Sequence, residues 1–243
     1  CAWGLISFIG TFLLIFLPSM LSYAMEEMKG QKYFLAISRL WMNLWLFLIA
    51  CPVRVTGKEN FEKGKNYIVV FNHNALLDVP LSAPYVPGPN KTIAKASFAK
   101  VPLFGLFYKK GSVLVDRKNE KSRIQSYEAM KTVLASGMHM CIYPEGTRNR
   151  TSEPMKQFYD GAFRIAIETQ TPIKPLLFLD AYDRNNYKTL FSLTPGKARI
   201  VYLEEVPVEG MSLKDVTALK DKVYKIMEEK LIEYKASWIK PKP

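Results

Sequence analysis

The stretch "NYIVVFNHNALLD", residues 66–78, joins a strand-like apolar run to one of only two histidines in the chain. Tyr67, Ile68, Val69, Val70 and Phe71 are the β-branched and aromatic types that favour strands. The run ends on Asn72-His73, and Asp78 follows five positions after the histidine. If the chain turns from strand into helix directly after His73, that spacing lets the carboxylate reach back to the imidazole. His73 is then a base held by a carboxylate; otherwise it is a surface residue that happens to precede an aspartate.

Outward from this point the texture alternates. "TIAKAS" (92–97), "SVLVDR" (112–117), "MHMCIYP" (138–144), "PIKPLLFLD" (172–180) and "KARIVYLEEV" (197–206) read as strands. Residues 119–135 place Ile124, Tyr127, Met130 and Leu134 on one helical face, with Gly137 as the stop. Residues 160–169 read as helix. Ser212 and Asp215 resemble a capping box that opens a long amphipathic helix carrying Val216, Leu219, Val223, Ile226 and Leu231. Alternating strands and helices predict an α/β domain with a mostly parallel sheet flanked by helices. Ligands of such sheets bind beyond the carboxyl ends of the strands. His73, Asp116-Arg117 and "PEGTR" all follow strand ends.

Before this domain, residues 1–25 carry no charge and reach the ~20-residue length of a membrane-spanning helix, with Pro18 as a possible kink. A polar link, "EEMKGQK" (26–32), precedes a second apolar stretch at 33–53 that contains Arg39 and Asn43. We read an apolar two-helix hairpin, the second helix lying in or near the interface with Trp41 and Trp45 at headgroup level. Two core helices of a soluble domain are the alternative. The expected division is a membrane-associated hairpin, 1–53, and an α/β domain, 54–243.

Among the 243 residues, 34 Lys and Arg outweigh 22 Asp and Glu, a net charge of +12. Such a surface attracts nucleic acid, anionic lipid or phosphorylated small molecules. Nucleic acid is not the expected partner, because no basic aromatic platform or recognition helix is visible and the N-terminus is apolar. Cysteines at 1, 51 and 141 fit neither a disulfide framework nor a zinc site, and no metal is expected.

Three further segments carry candidate chemistry. In "YPEGTR" (143–148), Pro144 and Gly146 shape a turn, Gly146 and Thr147 offer backbone N–H groups, and Arg148 offers a planar fork for phosphate. Glu145 there can bind a hydroxyl or fix an arginine; the plain alternative is a surface turn. "GSVLVDR" (111–117) ends on Arg117 beside Asp116, a phosphate ligand or one half of an ion pair. Lys95 and Lys100 add charge, or are simply solvated. Cys141 and His139 lie inside an apolar strand and read as structural.

Taken in order, "NHNALLD" (72–78), "GSVLVDR", "YPEGTR" and "TPIKPLLF" (171–178) resemble the four motifs of the glycerolipid acyltransferase family that includes the 1-acyl-sn-glycerol-3-phosphate acyltransferases. The likeness covers roughly 54–210, and the hairpin suits it. Three departures from the family pattern stand out. Tyr143 replaces a Phe, Tyr159-Asp160 stand before Gly-Ala-Phe where relatives commonly carry basic residues, and Lys174 interrupts an apolar strand.

The resemblance implies transfer of a fatty acyl group from an acyl thioester, acyl-CoA or acyl-acyl carrier protein, to the sn-2 hydroxyl of lysophosphatidic acid, with no further cofactor. His73 and Asp78 are then the catalytic pair. Arg117, Glu145, Gly146, Thr147, Arg148, Lys95 and Lys100 form the substrate-binding set, with backbone N–H groups near His73 or Gly146 as candidate oxyanion donors. Membrane lipids are the expected partners, with the domain on the cytoplasmic face. The rivals are another acceptor (glycerol 3-phosphate, a different lysophospholipid or a lyso-aminolipid) and a non-catalytic basic protein that binds anionic lipid.

Overall fold

The computed structural model describes residues 2–186, 188–189 and 192–239. Cys1 and the final positions 240–243 of the expected second domain lie outside the described residues. The elements run α1 (Ala2–Met20), α2 (Glu27–Leu48), β1 (Val53–Thr56), β2 (Ile68–Phe71), α3 (Asp78–Tyr85), β3 (Asn90–Lys95), α4 (Phe104–Lys110), β4 (Ser112–Val115), α5 (Glu120–Ala135), β5 (His139–Ile142), α6 (Gly161–Glu168), β6 (Ile173–Phe178), α7 (Ala181–Arg184), β7 (Ala198–Tyr202) and α8 (Val216–Glu233).

The strands form one seven-stranded sheet in the order β1-β7-β6-β2-β5-β3-β4. Every neighbouring pair is parallel except β6 and β7, which run antiparallel, so the sheet is mostly parallel as expected. The pleat sends alternate side chains to opposite faces. Ile68 and Val70 of β2, with Met140 and Ile142 of β5, pack against Met130, Val133 and Leu134 of α5, Phe163 of α6, and Leu219, Val223, Met227 and Leu231 of α8. Tyr67, Val69 and Phe71, with Cys141 and Tyr143, face the other way, onto Trp41, Met42, Trp45 and Leu46 of α2, Leu81 of α3 and Phe107 of α4. Residues 1–53 therefore share a core with residues 54–243, and the hairpin is one of the layers that cover the sheet.

That packing corrects several local expectations. Trp41 and Trp45 are buried instead of lying at headgroup level: the indole N–H of Trp41 donates to Thr11 Oγ1 at 2.9 Å and that of Trp45 to the Gly4 carbonyl at 3.0 Å. The large apolar side chains left outside are Trp3, Leu5, Ile6, Ile9, Leu13, Leu14 and Leu17 of α1 and Leu40, Leu44 and Phe47 of α2. Arg39 does not interrupt an interfacial helix; it reaches the Val86 and Gly88 carbonyls and ties α2 to the loop after α3. The supposed polar link is the first turns of α2. Gly30 makes this possible, since a Cβ there would stand 2.3 Å from the Ser22 carbonyl oxygen. Ile124 leaves the predicted face of α5 and is 60% exposed, while Met130 and Leu134 are buried. β1, α4 and α7 were not foreseen, and α3 only as the helix that a His73–Asp78 contact would need.

The Ser212–Asp215 capping box is present and precedes α8. Asn119 caps α5, its side chain accepting the Ser122 N–H at 2.9 Å.

Asn72 closes the end of β2. Its buried carboxamide donates to the Phe178 carbonyl at 3.0 Å and accepts the Phe178 N–H at 2.9 Å, which clamps β2 to β6 just before His73. Asn72→Ala leaves two buried backbone groups without partners, so chemical denaturation should show a loss of about 2–4 kcal/mol. Ile124→Ala, on the exposed side of α5, should stay within about 0.5 kcal/mol of wild type.

Candidate active site

β2 and β5 are parallel neighbours, so the loops that leave their carboxyl ends emerge side by side. The first loop turns sharply into α3. Asp78, 0% exposed, is the first residue of that helix, and its Oδ2 accepts from His73 Nδ1 at 2.7 Å and from the Asn74 and Ala75 N–H groups at 2.8 Å each. The strand-to-helix turn that the spacing required is therefore formed, and His73 and Asp78 face one another. Proton on Nδ1 leaves Nε2 of the half-buried ring as the basic nitrogen. The Tyr143 ring lies against the imidazole with centroids 4.4 Å apart.

The second loop, Tyr143 to Arg148, is bound to the first. The His73 N–H donates to Glu145 Oε1 at 2.6 Å, and the Asn149 N–H donates to the His73 carbonyl at 2.6 Å. Glu145 Oε2 accepts the Lys156 N–H at 2.9 Å. This buried carboxyl group braces the histidine loop, one oxygen on each of the two backbone N–H groups. Burial pushes its carboxyl up to about 8, against the downward pull of the Lys156 and His73 N–H groups.

Gly146 takes φ +71°, and a Cβ there would meet the Tyr159 ring at 2.6 Å. The backbone donors expected to face the substrate are already used. Gly146 N–H goes to the Tyr143 carbonyl and Thr147 N–H to the Glu145 carbonyl, as those of Asn74 and Ala75 go to Asp78. None of these four is free to hold an oxyanion.

The cationic residues divide into two groups. Arg117 leaves the end of β4, bypasses Asp116 and donates through Nη1 to the Gly146 carbonyl, which brings it to the turn. Arg148 follows in the same turn, half-buried, within electrostatic reach of Asp78. Lys95 ends β3, in register with Val115 and so near the start of the Arg117 loop, whereas Lys100 ends a 3-10 turn farther on; both side chains are exposed. The basic residue missed by sequence reading is Lys156, whose Nζ donates to Thr147 Oγ1 at 2.7 Å. No motif contains it; only the return of residues 155–159 along the turn reveals it.

The two described cysteines are poor nucleophiles. Burial pushes the Cys141 thiol up to about 12 and the Cys51 thiol up to about 11. His139 accepts the Tyr67 N–H through Nδ1 at 3.1 Å, and burial pushes it down to about 4, a neutral ring within the core.

A carboxyl whose folded pKa exceeds its unfolded value of 4.5 holds more protons folded than unfolded between those two pH values. The stability that Glu145 contributes must therefore decline as pH rises from about 4.5 to about 8. Measured by denaturant titration, the stability of wild type relative to Glu145→Gln should fall by on the order of 2 kcal/mol between pH 5 and pH 8.

Comparison with known proteins agrees with this geometry. The profile of the family described as Acyltransferase matches residues 52–179, just over half of the chain. Human 1-acyl-sn-glycerol-3-phosphate acyltransferase alpha is 32% identical over 189 residues, which cover 77% of this chain and 66% of the human protein. The 1-acyl-sn-glycerol-3-phosphate acyltransferase of Helicobacter pylori is 30% identical over 161 residues, 64% of this chain and 67% of that protein. The chain spans about two thirds of the length of the curated relatives it matches. The crystal structure of the 1-acyl-sn-glycerophosphate (LPA) acyltransferase PlsC from Thermotoga maritima superposes with a TM-score of 0.80 at 25% identity, covering 97% of this chain and 96% of that one. With the family profile spanning the sheet from β1 to β6 and the two loops that carry His73 and Arg148, the chain belongs to the acyltransferase family in which the 1-acyl-sn-glycerol-3-phosphate acyltransferases are found.

Proposed function

We propose that this chain transfers a fatty acyl group from an acyl thioester to the sn-2 hydroxyl of lysophosphatidic acid, giving phosphatidic acid and a free thiol. The observation that carries the reading is the 2.7 Å contact between His73 Nδ1 and the fully buried Asp78, which leaves Nε2 as the base. The substrate hydroxyl gives its proton to His73 Nε2 as its oxygen attacks the thioester carbonyl carbon. The C–S bond of the tetrahedral intermediate then breaks, and the departing sulfur takes the proton back from the imidazolium. Asp78 holds the ring and offsets its transient charge, as the carboxylate of a hydrolase triad does, with the substrate alcohol in place of a serine. Direct transfer is supported by the poor ionisation of the buried Cys51 and Cys141 thiols.

Arg117 and Arg148 converge on one turn and suit the phosphate monoester of the acceptor. The donor is a thioester of coenzyme A or of acyl carrier protein. We place the protein at a membrane with its α/β domain on the cytoplasmic side. Support comes from the outward apolar residues of α1 and α2, which continue across Phe98, Val101, Leu103 and Leu106, and from the net positive charge. α1 with the turn after it, residues 2–24, is long and apolar enough to cross a bilayer by length and composition.

The test is transfer of labelled acyl groups from acyl-CoA and from acyl-acyl carrier protein to lysophosphatidic acid. His73→Ala should lower turnover by about 10² to 10⁴ while the protein stays folded, as circular dichroism reads it. An acylated protein that accumulates, or a His73→Ala variant as active as wild type, contradicts the mechanism. Arg148→Ala should raise KM for lysophosphatidic acid and leave KM for the thioester unchanged. An acceptor without phosphate that works best overturns the phosphate assignment.

A further inference from the structure

Residues 155–160, "MKQFYD", return along the outer edge of the catalytic turn. The backbone is fixed there at two points: Lys156 N–H on Glu145 Oε2 at 2.9 Å, and Tyr159 N–H on the Pro144 carbonyl at 2.9 Å. The side chains of Lys156 and Tyr159 consequently fall on the lip of the turn. Lys156 Nζ reaches Thr147 Oγ1 at 2.7 Å, and among the described residues no carboxylate lies within ion-pair distance of it. The Tyr159 ring lies over Gly146, where Arg117 Nη1 also approaches to 3.4 Å of the same Cβ position, and the phenol interacts electrostatically with Arg117. This large aromatic is 68% exposed, held over the turn instead of being buried in the core. Asp160, the residue that would repel an anion, is turned away and paired with Lys220 of α8 at 2.7 Å.

Resting on the acyltransfer reading above, we infer that Lys156 and Tyr159 form a third wall of the acceptor's phosphate site, beside Arg117 and Arg148. A phosphate monoester is a dianion with three terminal oxygens, more than two guanidinium groups need to satisfy. Lys156 exchanges a neutral hydroxyl partner for a charged one, a gain because hydrogen bonds to ionised acceptors are about twice as strong. The phenol of Tyr159 adds a donor, and its ring keeps water from the guanidinium of Arg117.

The experiment uses the full chain in mixed micelles. Lys156→Met should raise KM for lysophosphatidic acid at least tenfold, with kcat within about threefold and KM for the acyl thioester unchanged. Lys156→Arg should return KM to within about threefold of wild type, and Tyr159→Phe should raise it about threefold to fivefold. Transfer to 1-monoacylglycerol, which has no phosphate, should be indifferent to all three substitutions. On the wild-type protein, glycerol 3-phosphate should protect Lys156 from amine-directed labelling as read by mass spectrometry. The third wall is overturned if Lys156→Met leaves KM for lysophosphatidic acid within twofold, if it weakens the phosphate-free acceptor equally, or if glycerol 3-phosphate gives Lys156 no protection. A wild-type protein that acylates no phosphorylated acceptor overturns the acyltransfer reading and the wall together.

Discussion

One carboxylate oxygen organises the histidine loop. Asp78 Oδ2 receives an imidazole N–H and two consecutive backbone N–H groups, and this triple demand can be met only if the chain reverses within four residues of the end of β2. The same contacts start α3 and orient His73. Burying an aspartate is costly unless it finds donors; Oδ2 receives three, two from the loop's own backbone and one from His73, while Oδ1 is buried without a hydrogen-bond partner among the described residues. The turn and the base are therefore a single structural object.

A second buried carboxylate extends that object to the next strand. Glu145 accepts one N–H from the histidine loop and one from the segment after the turn, so the carboxyl ends of β2 and β5 cannot drift apart without stranding it. Parallel pairing of these strands brings the loops together, and Glu145 sets the distance between them. Arg117 joins from β4, two strands beyond β5, by grasping the Gly146 carbonyl.

Much of this was legible because each motif sits where an apolar run stops, and such runs are what a buried parallel sheet demands. His73, Asp78, Arg117 and Arg148 followed from that rule and from the family likeness. Elements that broke the usual periodicities escaped a reading by pattern: α3 carries Pro80 and Pro84 within eight residues, α4 contains Gly105, and β1 is a four-residue edge strand with alternating exposure. Sequence offered Glu145 a hydroxyl or an arginine as partner; only tertiary contacts reveal the two backbone N–H groups that its oxygens accept. Lys156 was invisible for the complementary reason, since its place at the turn depends on a backbone bond eleven residues away in sequence. Trp41 and Trp45 were misplaced because an indole suits a lipid headgroup and a helix–helix seam equally well.

The second helix of the hairpin has two duties. The side of α2 that carries Trp41, Met42, Trp45 and Leu46 roofs the sheet, while Leu40, Leu44 and Phe47 look outward. Attachment and folding are thus written into the same twenty-odd residues, and neither can drift under mutation without the other registering it. Cutting the short connection at 49–52 and freeing the hairpin would not release a sheet that holds its fold alone, because Val69, Phe71 and Phe178 would lose their roof.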